Sequence, residues 1–296
     1  MTEPQLQALA DVAARLRCPN CAATLSLSGR VLRCADGHAF DIAREGYVAL
    51  APPRRKLAPG DSPDMVAARE RFLATGHYRA VADEVAAAIP ADLAPRAGVA
   101  PLAVDLGAGT GYYLAALLQD RARWQGVALD ASRPALRRAA RAHPQIAAVA
   151  CDVWQELPLQ NAVADVVVNV FAPRNGQETA RVLAPGGALV VVTPEPSHLG
   201  ELVDALGLLD VGADKQERLH ATLAPRLQPV RRLELELTMT LDHDQLRALV
   251  AMGPSAHHVD SRLLDERIAK LARSVRVGAS LAIETFRAIP ETAPSG

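Results

Sequence analysis

Short aliphatic runs alternate with amphipathic stretches from residue 101 to about residue 194. The runs have the length and composition of buried β-strands, and the stretches between them carry the apolar spacing of helices. In chain order the segments are LAVDLG, a helix from about 112, GVALD, a helix over 134–142, IAAVACD, ADVVVNVF, a helix near 176–183 and ALVVVT. Strands joined by helices in this way form a parallel sheet, so the pattern predicts an α/β fold with a doubly wound sheet.

The two ends of the chain follow other patterns. The tail has a strand of period two, RLELELTMTL, a helix starting near Asp242, a helix over 261–272 and a last strand, VGASLAIETF. Ahead of the sheet, residues 64–89 show helical spacing interrupted by the turn Gly76-His77-Tyr78. The proline-rich, charged segment APPRRKLAPGDSPD is typical of a linker. We therefore expect three regions, 1–50, 51–100 and 101–296.

Three of the four cysteines lie close together in the first region and are followed by a histidine. Cys18, Cys21, Cys34 and His38 have the spacing C-x2-C-x12-C-x3-H, which lets two tight turns converge on one tetrahedral metal. A disulfide would need an oxidising compartment, and a chance grouping of reduced cysteines is the other alternative. A Cys3His set leaves no open coordination position, so the spacing predicts structural Zn2+. Cys151, in the run IAAVAC, is expected to be a buried packing residue.

Composition narrows the class of protein. Half of the 296 residues are hydrophobic and 3% are aromatic, so the core is expected to be aliphatic. The 32 basic and 33 acidic residues give a net charge of −1, which excludes binding to nucleic acid through overall positive charge. The longest uncharged stretch, 106–119, is too short to span a bilayer, and the N-terminus lacks signal-peptide character. We expect a cytoplasmic protein with no membrane partner.

The first predicted strand runs into a glycine-rich turn at the start of a helix. The candidate ligand-binding residues of this turn are Asp105, Gly107, Gly109, Thr110, Gly111 and Tyr112. Such a turn lets a ligand approach the backbone at the carboxyl edge of a parallel sheet, although several nucleotide-binding folds share it. The second strand ends in Asp130, placed to accept hydrogen bonds from ribose hydroxyls. The third leads into Asp152 and Val153, where a carboxylate can accept from an adenine amino group.

The charge at this turn distinguishes between nucleotide cofactors. Asp105 would repel the pyrophosphate of a dinucleotide and attract the cationic end of S-adenosylmethionine, which is therefore the predicted cofactor. A structural turn without a ligand is the alternative. The pattern LxPGG at 183–187 and a final antiparallel strand pair resemble the same positions in class I methyltransferases. The expected fold is a class I, Rossmann-like S-adenosylmethionine-dependent methyltransferase domain with an N-terminal zinc-binding β-rich domain.

Several segments occur in the order found in one methyltransferase family. They are CPNC…GHAFDIAREGYVAL, PGDSPDMVAAR, RFLATGHY, VDLGAGTGYY, NVFAPRN, LAPGGALVVVTP and the pair HL at 198–199. In these segments the chain resembles the RlmA-type 23S rRNA guanine-N1 methyltransferases, from about residue 16 to the last strand. The pieces RAHP, DVW, ELVDALGLL and LDHD…VAMGPS resemble the tylosin-resistance branch of that family more closely still.

The resemblance carries specific implications. It implies methylation of N1 of a guanosine in the helix 35 hairpin loop of 23S rRNA, nucleotide 748 in this branch, and resistance to macrolides such as tylosin. It implies zinc ligation by the cysteine–histidine cluster and cofactor contacts by Tyr78 and His198. It also suggests a homodimer that clasps RNA.

The end of the fourth strand occupies the acceptor side of the expected fold. There Phe171 could stack on the target base, Asn169 could address the guanine edge, and Arg174 could bind a phosphate or O6. Guanine N1 carries a proton at neutral pH, and Glu195 and His198 are candidate acceptors for it. Asn169 and Phe171 could equally be packing residues at a strand end.

Positive charge is concentrated in two places. Residues 1–60 carry eight basic and five acidic groups, so the zinc region and linker are the predicted RNA-gripping part. The helix after Asp130 carries Arg133, Arg137, Arg138 and Arg141, which could be a solvated face or an RNA contact. A small-molecule methyltransferase with a structural zinc knuckle is the alternative function. A third hypothesis is a zinc protein that binds nucleic acid and has lost its cofactor. The acidic residues and glycines of the candidate cofactor site are all present, which disfavours this hypothesis.

Overall fold

The computed structural model describes residues 1–52, 60–93, 96, 98–208, 212, 215–224, 226–253 and 260–289. Residues 53–59, which make up half of the predicted linker and include its three basic side chains, lie outside the described residues. Within the described ranges, no helix combines the length and the apolar character needed to cross a membrane.

The predicted elements occur in the predicted order, and two helices that the pattern did not predict, over 200–206 and 215–223, precede the first strand of the tail. The N-terminal part has α1 (Glu3–Val12), β1 (Leu25–Ser28), β2 (Val31–Cys34), β3 (Ala39–Asp41) and β4 (Tyr47–Ala49), then α2 (Pro63–Ala74) and α3 (Arg79–Ala87). The central part has β5 (Leu102–Leu106), α4 (Tyr112–Leu118), β6 (Gln125–Asp130), α5 (Arg133–Ala142), β7 (Ile146–Ala150), β8 (Ala164–Val170), α6 (Gly176–Val182) and β9 (Leu183–Pro194). The C-terminal part has α7 (Gly200–Leu206), α8 (Lys215–Leu223), β10 (Leu227–Asp242), α9 (His243–Ala251), α10 (Ser261–Ile268) and β11 (Ser274–Ala288).

One large sheet organises the molecule. Its eight strands lie in the order β10-β11-β9-β8-β5-β6-β7-β4. The strands from β4 to β9 pair in parallel, while β11 is antiparallel to both β9 and β10. Every position of β5, β7 and β8 is buried, as expected for parallel strands covered on both faces. The predicted α/β methyltransferase fold and its antiparallel final pair are confirmed.

Helix boundaries have local causes. Ser62 caps α2 by accepting a hydrogen bond from the backbone of Met65 at 3.2 Å, and Pro63 fits the first helical position. Asp242 caps α9 through a reciprocal capping box with Gln245. The predicted interruption at 76–78 separates α2 from α3, and the helix predicted over 261–272 ends at Ile268.

The two faces of the sheet have different covers. One carries α2, α3, α4, α5, α7, α9 and α10. The opposite face is covered by α1, the small sheet β1-β2-β3, α6 and α8. The fully described residues 151–163 between β7 and β8 contain no helix, and α1 packs there instead, against β6 and β7.

The first fifty residues share core and sheet with the rest of the chain. Leu9 in α1 and Leu32 in β2 are fully buried in the same cluster as Val104, Val127 and Val149 of the large sheet. In addition, β4 pairs in parallel with β7 and forms the edge of that sheet. Residues 1–50 therefore share a hydrophobic core and one sheet edge with residues 101–296.

Candidate active site and zinc centre

Four side chains at the ends of the N-terminal hairpin converge. The Sγ atoms of Cys21 and Cys34 lie 3.6 Å apart, and Nδ1 of His38 lies 3.3 Å from Sγ of Cys34 and 3.7 Å from Sγ of Cys18. All four ligand atoms lie within 4.8 Å of one another. Sulfur atoms about 2.3 Å from a shared tetrahedral zinc lie about 3.8 Å apart, so this donor set fits one Zn2+.

Tight turns bring these ligands together. In the first turn Ala22 has a φ of 63° and its backbone N–H donates to the carbonyl of Cys18 at 2.9 Å. In the second turn Gly37 has a φ of 82° and donates to the carbonyl of Cys34 at 3.1 Å. The first turn closes between residues 18 and 22 and the second between residues 34 and 37, and each brings one pair of ligands toward the metal position.

The predicted glycine-rich turn joins β5 to α4 and packs closely against its neighbours. Gly107 has a φ of 74°, and a Cβ there would lie 2.5 Å from Cβ of Ala172. Gly111 has a φ of 79°, and a Cβ there would lie 2.9 Å from Cα of Ala139. Only glycine fits both constraints, so the backbone itself forms the cradle for a ligand at this edge.

Asp130 at the end of β6 is fixed by the turn beside it. Its Oδ2 accepts a hydrogen bond from the backbone of Gly109 at 2.8 Å, and its Oδ1 accepts from the backbone of Ser132 at 2.7 Å. Burial raises the pKa of Asp130, and these two hydrogen bonds oppose that shift. Each carboxylate oxygen has a further lone pair, so the group can accept from the two hydroxyls of a ribose.

Asp105 at the end of β5 is a buried carboxylate at the same edge. It is 1% exposed, and its Oδ2 has no hydrogen-bond partner among the described residues. Burial, and then the neighbouring charge of Asp130, raise its pKa to about 8. A cationic donor would give this oxygen a hydrogen bond and would stabilise the charged carboxylate. The ammonium group of S-adenosylmethionine is such a donor. The residues present therefore fit the predicted cofactor.

Replacing Asp105 with asparagine is expected to stabilise the cofactor-free protein at pH 8 and to weaken S-adenosylmethionine binding at least tenfold. Because the pKa is raised from 3.8 to about 8 in the folded state, the wild-type protein loses stability as pH rises between those values. The variant carries no such charge, so its advantage in melting temperature should grow from pH 5 to pH 8. Scanning calorimetry across pH and titration calorimetry with the cofactor measure the two effects.

Asp165 provides the matched control for that variant. It is also buried, but it accepts a hydrogen bond from the backbone of Leu102 at 2.7 Å and lies 3.6 Å from Arg96. Asp165→Asn should therefore lower the melting temperature throughout this pH range. A pH-independent difference between Asp105→Asn and the wild type would contradict the assignment of the raised pKa to Asp105.

Three aromatic rings form a row at the carboxyl edge of the sheet. The ring of Phe171 lies 6.2 Å from that of Tyr78 and 6.3 Å from that of His198, measured between centroids. Tyr78 is buried, and Nδ1 of His198 lies 3.1 Å from the carbonyl oxygen of Ser280. The structure thus brings together two residues predicted to contact the cofactor and one predicted on the acceptor side.

The side chain of Asn169 forms hydrogen bonds within the protein instead of facing the acceptor side. Its side chain is fully buried, and Nδ2 donates to the carbonyls of Leu106 at 3.1 Å and Pro173 at 2.8 Å. Its Oδ1 accepts from Nε of Arg174 at 3.2 Å. In this arrangement Asn169 fixes the loop after β8 to β5 and orients Arg174, whose pKa is lowered by burial.

The remaining predicted cofactor residues divide into two groups. Asp152 and Val153 follow β7 beside Asp130, whose carbonyl accepts from the backbone of Cys151 at 3.1 Å. Thr110 and Tyr112 line a groove of about 550 Å³ between α2, α4 and α5.

Two residues near the turn were not singled out from the sequence. The half-buried ring of Tyr113 lies near Tyr78, and desolvation is the main cause of its raised pKa. Arg69 in α2 forms an ion pair with Asp61, donates to the carbonyl of Met252 at 2.8 Å, and would lie 3.0 Å from a Cβ at Gly109. The only signal for Arg69 was its place in PGDSPDMVAAR, which by itself gives no role.

Comparisons with known proteins agree with this arrangement. Residues 16–58 match the family described as RlmA, N-terminal, a zinc ribbon, and residues 103–187 match a methyltransferase domain family. A solved chain from the Haloferax volcanii complex of the Trm112 methyltransferase activator with a methyltransferase aligns with a TM-score of 0.51. That chain is 18% identical, with 78% of this chain and 99% of that chain covered, so it supports the fold alone.

Two curated relatives cover nearly the whole chain. The 23S rRNA (guanine(748)-N(1))-methyltransferase of Streptomyces fradiae is 48% identical, with 95% of this chain and 99% of the relative covered. A protein of Micromonospora griseorubida, provisionally assigned as a 23S rRNA (guanine-N(1)-)-methyltransferase, is 47% identical, with 94% and 99% covered. The Cys3His centre, the glycine-rich turn and this full-length similarity place the chain in the family of zinc-containing, S-adenosylmethionine-dependent 23S rRNA (guanine-N1)-methyltransferases.

Proposed function

We propose that this chain transfers a methyl group from S-adenosylmethionine to N1 of guanosine 748 in the helix 35 hairpin loop of 23S rRNA and confers macrolide resistance of the tylosin type. The observation that carries the proposal is the 48% identity to the Streptomyces fradiae enzyme over 95% of the chain. That alignment includes both the zinc ribbon and the catalytic sheet. The resemblance of the sequence to the tylosin-resistance branch supports the nucleotide and the purpose.

The positions of the acidic and basic side chains at the carboxyl edge of the sheet support methyl transfer to a guanine. Bound S-adenosylmethionine supplies an electrophilic methyl group on sulfur. Asp130 and Asp105 would hold the ribose and the ammonium, which orients the reactive end toward the acceptor side. Methylation would join the methyl carbon to guanine N1 at the expense of its bond to sulfur, and the N1 proton would pass to a local acceptor. Arg174, oriented by Asn169, would stabilise the negative charge that develops on guanine O6.

Phe171 is the proposed stacking face for the target base. Its side chain is 41% exposed at the carboxyl end of β8, and its backbone has a φ of 54°, a strained value for an aromatic residue. Strain of this kind persists where the surrounding structure holds it, here through the backbone N–H of Phe171 to the carbonyl of Val192 at 3.1 Å. A base that leaves its stack to be methylated needs such a surface.

Replacing Phe171 with alanine is expected to lower kcat/KM for RNA about 5- to 150-fold, the range that corresponds to base–aromatic stacking energies of about 1–3 kcal/mol. Phe171→Tyr should retain most activity, and S-adenosylmethionine affinity should not change in either variant. Leu263→Ala, at a similarly exposed apolar position in α10, is the control. Wild-type kcat/KM in Phe171→Ala would exclude a stacking role.

The cellular setting of the proposal comes from the family resemblance. A homodimer acting on rRNA in the cytoplasm is the proposed form of the enzyme. Sedimentation of the purified protein, alone and with the rRNA fragment, tests the oligomeric part.

Methyl transfer from labelled S-adenosylmethionine to an unmodified helix 33–35 fragment tests the function directly. We expect label in the RNA and a reverse-transcription stop beside guanosine 748. Label at another nucleotide would retain the enzyme class and overturn the target. Absence of label in this fragment, in full-length rRNA and in assembling subunits, despite measured cofactor binding, would favour the small-molecule alternative.

A further inference from the structure

Trp154 is the most exposed of the large hydrophobic side chains in the described residues, with 60% of its surface open to solvent. The chain has only two tryptophans, and the other, Trp124, packs against the core with the guanidinium of Arg121 5.7 Å from its ring centre. Exposing an indole in a chain with so few aromatic residues has no benefit for folding. The position of Trp154 in the fold indicates what its ring can bind.

The backbone of Trp154 is anchored to the acceptor side of the site. Its N–H donates to Oδ1 of Asp152 at 3.0 Å, and its carbonyl accepts from Nδ2 of Asn175 at 3.3 Å. Asn175 ends the loop that begins at Phe171. Among the described Phe, Tyr and Trp side chains, Phe171 is the second one that is exposed. Both exposed rings therefore belong to loops at the carboxyl edge of the sheet, and the two loops are hydrogen-bonded to each other.

The same loop is joined to the zinc region on its other side. Glu156 forms an ion pair with Arg17, the residue before the first zinc ligand. The backbone of Arg17 donates to the carbonyl of Pro158 at 3.0 Å, and the backbone of Gln160 donates to the carbonyl of Arg15 at 2.9 Å. Trp154 therefore lies in the segment that connects the zinc region with the acceptor edge.

We propose that Trp154 stacks on an unpaired nucleotide of the rRNA hairpin loop other than the target guanosine. The proposal rests on the proposed function, because it takes RNA as the substrate. Proteins recognise single-stranded RNA loops by splaying out bases and stacking them on aromatic rings. Phe171 would hold the base to be methylated, and Trp154 would hold a second base between the target and the zinc region. The exposed Arg30 and Arg33 on the zinc hairpin supply positive charge for the phosphates.

Tryptophan fluorescence gives a direct test. In a Trp124→Phe protein, Trp154 is the only tryptophan, and titration with the helix 33–35 fragment should quench its emission with the midpoint measured by RNA anisotropy. In the matched Trp154→Phe protein, the emission of Trp124 should not change. Quenching of Trp154 by S-adenosylmethionine alone, with no further change on adding RNA, would assign the ring to the adenine of the cofactor and overturn the proposal.

Kinetics provide a second readout. Trp154→Ala should raise KM for the RNA fragment about 5- to 150-fold, as expected for the loss of one stacked base, with kcat within about twofold of wild type. Trp154→Tyr should restore most of the affinity, and Val230→Ala, at an exposed position on β10, should have no effect. Unchanged KM together with unquenched emission would contradict the proposal. Methylation of another RNA or of a small molecule by the wild type would instead contradict the proposed function.

Discussion

Cys18→Ser protein is expected to bind no zinc and to unfold at a temperature lower by about 10 °C or more, in one transition that includes the methyltransferase sheet. The reason is that the zinc hairpin is a structural part of the catalytic fold. Cys18 and Leu32 are buried in the same cluster as Val127 and Val149, so a hairpin that opens without its metal exposes one face of the sheet. Metal analysis and scanning calorimetry measure both parts of the prediction.

Cys151→Ala is the matched control, because Cys151 is a buried cysteine of the same cluster that lies outside the metal site. It should keep one equivalent of zinc and lose only the stability of one buried side chain. Two separate transitions in Cys18→Ser protein, with the second at the wild-type temperature, would show instead that the zinc region folds independently of the sheet.

Asp130→Ala is expected to reduce S-adenosylmethionine affinity about 10²- to 10⁴-fold. Two hydrogen bonds from ribose hydroxyls to a carboxylate contribute about 1.5–3 kcal/mol each, because one partner is charged. The substitution also removes the acceptor for the backbone N–H of Gly109. The glycine-rich turn therefore loses a hydrogen bond in addition to those that the cofactor loses. Titration calorimetry measures the affinity, and circular dichroism confirms that the variant is folded.

The control for this variant is Asp120→Ala, which removes an exposed carboxylate just after α4. It should bind the cofactor with wild-type affinity. If Asp130→Ala loses less than tenfold in affinity, the ribose of the cofactor is held elsewhere and the assignment of this edge is wrong.

The sequence predicted those parts of the fold that depend on local pattern. Aliphatic runs such as β7 and β8, alternating with helical segments, predict strands that are covered on both faces. The position of β4 carries no such signal, because three residues are too few to show a period. Its pairing with β7 depends on residues about a hundred positions away. The same holds for α1, because nothing in its ten residues specifies which face of which sheet they cover.

In the candidate site, too, some residues could be predicted from local pattern and others depend on contacts between distant parts of the chain. Asp130 follows a recognisable strand and turn, so its type and position could be predicted together. Asn169 could not be assigned from its residue type, because a buried amide at a strand end serves a ligand or the next loop equally well. Only the distances to Leu106, Pro173 and Arg174 distinguish these roles. Arg69 approaches the glycine turn from α2, a contact that no sequence window contains.

The edge position of β4 has a consequence for synthesis on the ribosome. All four zinc ligands precede residue 50, so they leave the exit tunnel about a hundred residues before β7 is complete. The strand β7 that pairs with β4 is complete only when residue 150 has emerged, which at 5–20 residues per second takes about 5–20 s more. During that interval the apolar side chains of α1 and the ribbon that later cover the sheet have no surface to pack on. The nascent chain therefore exposes this apolar surface until β7 has been made.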